Sequence, residues 1–364
     1  MGGLVYGDGI SARPSHLITA FQSEFHRQWQ QLADPHVRSL AWLLTSPDLL
    51  EHLSPVWLGA SLNPPLPFIS GVVDWLLSLD SSPQQLQQLH LMLARKKHRR
   101  LGLYAETLLE FYFAEHGILY ARGLQVRDAQ GRTVGEFDFL VRQGDALAHW
   151  ELATKFYLFC PANTSGSSTT HGFNVGFDAY VGPNLQDNLA LKMHKMLHQQ
   201  LRLASHPLAV SALPEPVISA QAFIKGWLFY GSSGVAGSDS MPGMGCVKGA
   251  EETEDTEAPS ILLEGIAPQH ARGYIWTLAE FCHVAVTAFD AGVILDRLDW
   301  LAPAQCDVAA VRSISQLSDA VATHFSLSAT PLLVAGMRVN EGCAQELCRG
   351  MLVPDDWWQR AINR

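Results

Sequence analysis

Cysteine is scarce in this 364-residue chain, and its placement excludes two classes of small-domain architecture. The six cysteines (160, 246, 282, 306, 343 and 348) are scattered with no CxxC pair. That pattern argues against a disulfide framework or a zinc ribbon and for free thiols. No apolar stretch has the uninterrupted length needed to cross a bilayer. The opening Met1-Gly2-Gly3-Leu4-Val5-Tyr6 lacks the basic segment, apolar run and cleavage site of a secretory leader. The expectation is a cytoplasmic protein with no membrane partner. Also missing are a GxxxxGK[ST] loop, a GxSxG elbow and an HExxH helix, so NTP hydrolysis, serine-hydrolase chemistry and a zincin site lack support. His194 and His198 share a helical spacing without an evident third ligand.

Charge is also in short supply, at 16% of residues against 48% hydrophobic. Such a chain can bury one large core or two ordinary ones. A net charge of −10 speaks against general nucleic-acid binding, which leaves a basic footprint. The distribution is patchy, however. Acids crowd residues 251–257, whereas Arg95-Lys96-Lys97-His98-Arg99-Arg100 is basic and reads either as a solvated helix start or as a phosphate contact through Arg99 and Arg100.

Periodicity divides the chain into four regions. Residues 1–98 read as a helical N-terminal region, with Leu17, Phe21, Phe25, Trp29 and Leu32 at helical spacing and Ser82-Pro83 as a cap and first helical position. Residues 99–230 read as a core. A helix over 101–116 stops at Gly117, followed by strands over 118–127, 133–142 and 146–158, a helix over 185–203, and strands over 207–212 and 221–230. Residues 231–260 have the composition of a flexible acidic insertion, and 261–364 read as a smaller α+β extension with a helix near 314–325. The loop over 165–182 is long and rich in Gly, Ser, Thr and Asn, as functional loops often are.

The most informative stretch is a hairpin. Gly144-Asp145 suits a two-residue type II′ turn between two period-2 runs. Pairing Gln143 with Ala146 sets Asp138 opposite Glu151 and Glu136 opposite Ala153. Alternation then places Phe137, Phe139, Val141, Trp150, Leu152, Thr154 and Phe156 on one face. Glu136, Asp138, Glu151, Ala153 and Lys155 share the other. Opposed residues have Cβ atoms roughly 4.5–5.5 Å apart, so two carboxylates there repel and need a cation. A divalent ion such as Mg²⁺ accepts one or two carboxylates as hard oxygen ligands. Lys155 is the other candidate cation, and a charged surface hairpin is the plain alternative.

The order of helix, three strands, helix and strand, with an acid in the first helix, Asp138 and Glu151 across a hairpin and a lysine on the second strand, resembles the PD-(D/E)XK nuclease superfamily. More narrowly, Gly135-Glu136-Phe137-Asp138-Phe139-Leu140, Glu151-Leu152-Ala153-Thr154-Lys155-Phe156-Tyr157-Leu158 and Val181-Gly182-Pro183-Asn184-Leu185 resemble an uncharacterised bacterial family, a domain of unknown function, grouped with that superfamily. The resemblance implies an α/β fold with a restriction-endonuclease-like αβββαβ core. It also implies Asp138, Glu151 and Glu106 as ligands of Mg²⁺ or Mn²⁺, with the Leu152 carbonyl as a further oxygen. Lys155 would be the catalytic lysine, and Lys192, Lys195, Gln199 and Gln200 would face the scissile phosphate. In this chain the superfamily's usual lysine position is Ala153, and Lys155 lies about 6.6–6.8 Å further along the strand.

The activity implied by the resemblance is that of a metal-dependent nuclease hydrolysing phosphodiester bonds, with DNA favoured over RNA. The metal would polarise the phosphoryl oxygen and lower the pKa of a bound water, and Lys155 would stabilise the transition state. A catalytically silent nuclease-fold protein that binds nucleic acid or protein is the second reading, supported by the displaced lysine and the acidic net charge. A two-carboxylate glycosidase ranks last, because directly opposed strand carboxylates are closer than an inverting pair needs. The tryptophans, Trp357-Trp358 included, read as core or interface anchors.

Overall fold

The computed structural model describes residues 20–57, 60–62, 66, 69–95, 100–160, 176–231 and 263–364. Arg99, most of the 165–182 loop and the acidic run at 251–257 fall outside the described residues. The N-terminal segment forms α1 (Ala20–Trp29), α2 (Pro35–Thr45), a two-residue β1 (Ser61–Leu62), α3 (Val72–Ser81) and α4 (Pro83–Ala94). Two of these helices begin with proline at the first helical position, where its missing N–H costs nothing. Ser82 caps α4 by accepting from the Gln85 N–H, as its sequence suggests.

Next come α5 (Leu101–Glu115), β2 (Leu119–Arg127), β3 (Thr133–Gln143), β4 (Ala146–Phe159), β5 (Tyr180–Val181), α6 (Leu189–Lys195), α7 (Pro207–Ala212) and β6 (Val217–Gly231). Gly117, at φ 67°, ends α5 in the left-handed region open to glycine. The stretch 207–212, expected as a strand, is the helix α7, whose N-cap side chain is His206. A six-residue apolar run does not reveal its period, and Pro207 at the first turn decides for helix.

The chain closes with β7 (Ala271–Trp276), α8 (Leu278–Ala288), β8 (Ala291–Ile294), β9 (Gln305–Asp307), α9 (Ile314–Leu327), β10 (Leu332–Asn340), β11 (Cys343–Leu352) and α10 (Trp357–Ile362). One mixed sheet runs β2-β3-β4-β6-β7-β11-β10-β8, with β1 beside β6, β5 beside β4 and β9 beside β11. The fold is therefore α/β. Strands β2, β3 and β4 are antiparallel, and β6 lies parallel to β4 after the crossover through α6 and α7.

The segment after residue 261 continues the same sheet, because β7 pairs in parallel with β6 from Trp227↔Ala271 to Gly231↔Ile275. In β6, residues 222–229 are all buried, as expected of a central strand covered on both faces. Phe223, Trp227 and Phe229 join Trp42, Leu108, Phe113, Trp150 and Trp300 in the large core on one face. Ala222, Ile224 and Leu228 join Ala153, Tyr157, Met193 and Met196 on the other. These two cores hold β4 between α5 and α6, the two helices that bring polar groups to the hairpin acids.

Candidate metal centre

The hairpin forms with the expected register, from Gln143↔Ala146 to Phe139↔Trp150. Gly144 has φ 63°, and among the described residues the one non-glycine with positive φ is Leu185, so Asp145 stays outside the left-handed region as a type II′ turn requires. Beyond Phe139↔Trp150 the paired ladder stops. There Asp138 takes over as acceptor through its side chain, with the Leu152 N–H donating to Oδ2 at 3.0 Å.

Alternation also breaks at this point. Phe137 packs with Leu140 and Leu203, edge-on to His149 with ring centroids 4.6 Å apart. It thus leaves the Phe139–Trp150 core to which period 2 assigned it. Strict alternation is a property of a regular ladder, and β3 gives up that ladder where it delivers Asp138.

Asp138 and Glu151 come together away from bulk solvent, Asp138 part-buried and Glu151 with no exposure. Burial first, and the neighbouring Glu151 second, push the Asp138 carboxyl up to about 7. Glu151 is raised to about 7 by burial, against the opposing pull of its interaction with Asp138 and of Lys192. Each group is thus near its midpoint at neutral pH, and the pair retains a proton that a cation would displace.

Two further side chains hold Glu151, and a third stands behind one of them. His149, two residues back on the same strand face, sets Nε2 2.7 Å from Oε1 and donates there when Glu151 is ionised. Burial lowers the His149 pKa to about 4, so the imidazole is neutral, and its buried Nδ1 has no hydrogen-bond partner among the described residues. Gln200 donates its amide to the other oxygen, Oε2. Lys192 donates to Gln200 Oε1 at 3.1 Å. Lys192 itself has its pKa lowered, by burial first and by Lys155 second. Lys192 and Gln200 reach the same spot because α6 continues into a single π-turn at Met196–Gln200. Such one-turn widenings often occur at functional sites.

The other expected site residues lie at graded distance from this pair. Glu106 is close enough for Asp138 to raise its pKa, although burial is the larger cause. Its carboxylate is held by Arg122, Nη2 to Oε2 at 3.2 Å, and the same guanidinium also clasps Glu110. Lys155 turns away from the acids to Asp187, Nζ to Oδ2 at 2.7 Å. Lys195, Gln199 and Arg100 are exposed, and Glu136 accepts from Gln125 at 3.0 Å. Among the described residues no three His, Cys, Asp or Glu side chains form a ready cage for a metal. Sequence reasoning missed His149, Arg122 and Asp187. For His149 the signal was available, since it shares a strand face with Glu151.

The donor set suits a hard divalent cation. Two secluded carboxylates whose charge is not fully offset are the oxygen ligands Mg²⁺ or Mn²⁺ takes, and such ions complete their shell with water and phosphate.

A family described as "Domain of unknown function (DUF1853)" matches residues 38–353. The chain belongs to that family. The match runs from inside α2 to the end of β11 and so takes in both the acid pair and the C-terminal half of the sheet. No curated protein matches the chain, and no solved structure does. No helix among the described residues is long and apolar enough to cross a membrane.

Proposed function

We propose that this DUF1853 protein is a metal-dependent nuclease with a restriction-endonuclease-like core, acting on DNA in preference to RNA. The observation that carries the reading is the Asp138–Glu151 pair, largely buried, short of compensating positive charge and bordered by Lys192 and Gln200 from the following helix. The element order supports it, since α5-β2-β3-β4-α6-β6 follows the αβββαβ sequence of that core once the two-residue β5 and the short α7 are set aside.

Asp138 and Glu151 would hold Mg²⁺ or Mn²⁺, which supplies Lewis acidity toward a phosphoryl oxygen when bound. Glu151 is kept in one orientation by His149 and Gln200, one on each carboxylate oxygen. That orientation favours a defined ligand geometry over a floating charge. Lys192 presents an ammonium group next to the pair, where charge develops on the phosphate during in-line displacement. In this reading Lys192 takes the role first assigned to Lys155, whose ammonium is engaged by Asp187.

A catalytically silent nuclease-fold protein that binds nucleic acid or protein is the second reading. The clasp of Arg122 on Glu106 and the lack, among the described residues, of a three-ligand cage favour it. One assay separates the two. Purified protein is incubated with single- and double-stranded DNA and RNA in Mg²⁺, Mn²⁺ or EDTA, beside Asp138→Asn and Glu151→Gln. Metal-dependent cutting lost in both variants is the expected result. Cutting that survives in both would remove the proposed site, and absence of cutting from the wild type would favour the silent protein.

A further inference from the structure

A second polar centre lies along β4 from the acid pair, and the nuclease chemistry leaves it unused. Lys155 and Tyr157 project from the same strand face as Glu151 and meet at Asp187. The Lys155 Nζ lies 2.7 Å from Oδ2, and the Tyr157 hydroxyl donates to the same oxygen at 3.3 Å. Asp187 sits in a closed loop between β5 and α6, where Gly182 N–H donates to the Asp187 carbonyl at 2.8 Å and Leu185 adopts φ 60°. A Cβ at Gly182 would lie 2.2 Å from the Asp187 carboxylate, so glycine is what allows the side chain to settle there.

The C-terminal part of the chain closes on this loop. Trp357 donates its indole N–H to the Pro183 carbonyl at 2.8 Å, and Arg364 donates to the Asp187 carbonyl at 3.0 Å. Arg297 comes from the turn before Trp300, stacks 4.2 Å over that ring, and feels the Asp187 carboxylate. Asp296 and Asp299 flank Arg297 in sequence and are exposed. Asp187 thus serves Lys155 and Arg297 through its carboxylate and Arg364 through its backbone carbonyl, while Lys155 also presses on Lys192 beside the acid pair. Arg297 and Arg364 remain exposed.

We propose that Lys155, Arg297 and Arg364, gathered around Asp187, form a docking track for the phosphate backbone of a nucleic-acid strand whose reacting phosphate lies at Asp138–Glu151. This rests on the nuclease reading of that pair. Lys155 lies four residues from Glu151 on β4, or roughly 13 Å at strand rise. That distance is about four 3.4 Å steps of a duplex axis, so the track meets the strand a few nucleotides from the reacting phosphate.

The test is fluorescence anisotropy with labelled 20-nucleotide single-stranded and duplex DNA in EDTA, across a potassium chloride series. The proteins are wild type, Arg297→Gln/Arg364→Gln, Asp187→Asn and an Arg127→Gln/Arg132→Gln control on the β2–β3 turn. The track predicts about tenfold or more weaker binding by the first double variant, with a salt slope smaller by about 1.4–1.8 for two lost phosphate contacts. It predicts several-fold tighter binding by Asp187→Asn, which a purely structural role for the loop would not produce. The control should bind as wild type does. Wild-type protein that binds neither DNA, or an Arg297/Arg364 variant with unchanged affinity and slope, overturns the track. Binding that depends on the track in a protein that never cleaves would leave the track standing and sink the nuclease reading.

Discussion

Two buried carboxylate centres on the same sheet are treated in opposite ways. On β11, Glu346 is fully buried beside Arg349, with Nε to Oε1 at 2.7 Å and Nη2 to Oε2 at 2.8 Å. The Ala304 N–H donates at 2.8 Å and the Gln22 amide at 3.3 Å. Arg349 also donates to the Trp300 and Ala302 carbonyls and stacks 3.9 Å from the Trp227 ring centroid. Despite total burial, the Glu346 carboxyl is held below its usual range. On β3 and β4, Asp138 and Glu151 also accept hydrogen bonds but face one another, and both are pushed up to about 7. A buried charge that serves structure alone is neutralised within the chain. Among the described residues the acid pair has no such ion-pair partner, and a divalent cation would provide one.

The comparison can be broken most forcefully at Glu346. Glu346→Gln leaves the Arg349 guanidinium buried without its counter-charge, and the expected loss is about 3–5 kcal/mol of folding stability. Urea unfolding at neutral pH reads this directly, and a loss below about 1 kcal/mol would mean the two centres do not differ as described.

Asp138→Asn should act in the reverse direction when divalent cations are absent. Both acid pKa values lie above their unfolded values near 4, so the pair opposes folding as pH rises from about 4 to about 7, and the penalty is complete above that range. Removing one charge should raise stability at pH 8 by about 1–3 kcal/mol. The gain should fade toward pH 5, where the wild-type pair is protonated. Unfolding curves in EDTA at the two pH values check the sign, and equal stabilities at pH 8 would argue that the pair carries no strain.

A smaller effect is expected at His149. Replacing it with Phe removes the donor on Glu151 Oε1 and costs about 1 kcal/mol in stability. Since a donor to the ionised form favours it, the loss also moves metal binding to higher pH. An unchanged pH midpoint for metal binding would show that His149 packs without orienting Glu151.

Much of the centre was readable from residue order because its determinants are local. Gly144-Asp145 sets the turn, the turn sets the register, and the register brings Asp138 toward Glu151. Gly117 and Ser82-Pro83 marked helix ends for the same local reason. The parts that escaped depend on contacts between distant segments. The turn of Phe137 toward Leu203 follows from the end of the β3–β4 ladder, which no periodicity reveals. Lys192 and Gln200 were both expected at the site, but the π-turn across which they touch has no mark in the periodicity. Asp187 captures Lys155 across 32 residues, and β7 finds β6 across a segment that carries no strand signal.

The central claim is that the Asp138–Glu151 pair is a cation site, and a count of bound Mn²⁺ by electron paramagnetic resonance tests it most directly. The titration is run at pH 7.5 and 5.5 on the wild type, Asp138→Asn and Glu151→Gln, with Asp187→Asn as the control. The account predicts a site in the wild type and the control that weakens at pH 5.5 as protons compete, and that is lost in both acid-pair variants. Equal Mn²⁺ binding by wild type and the acid-pair variants, or none by the wild type at pH 7.5, would contradict it.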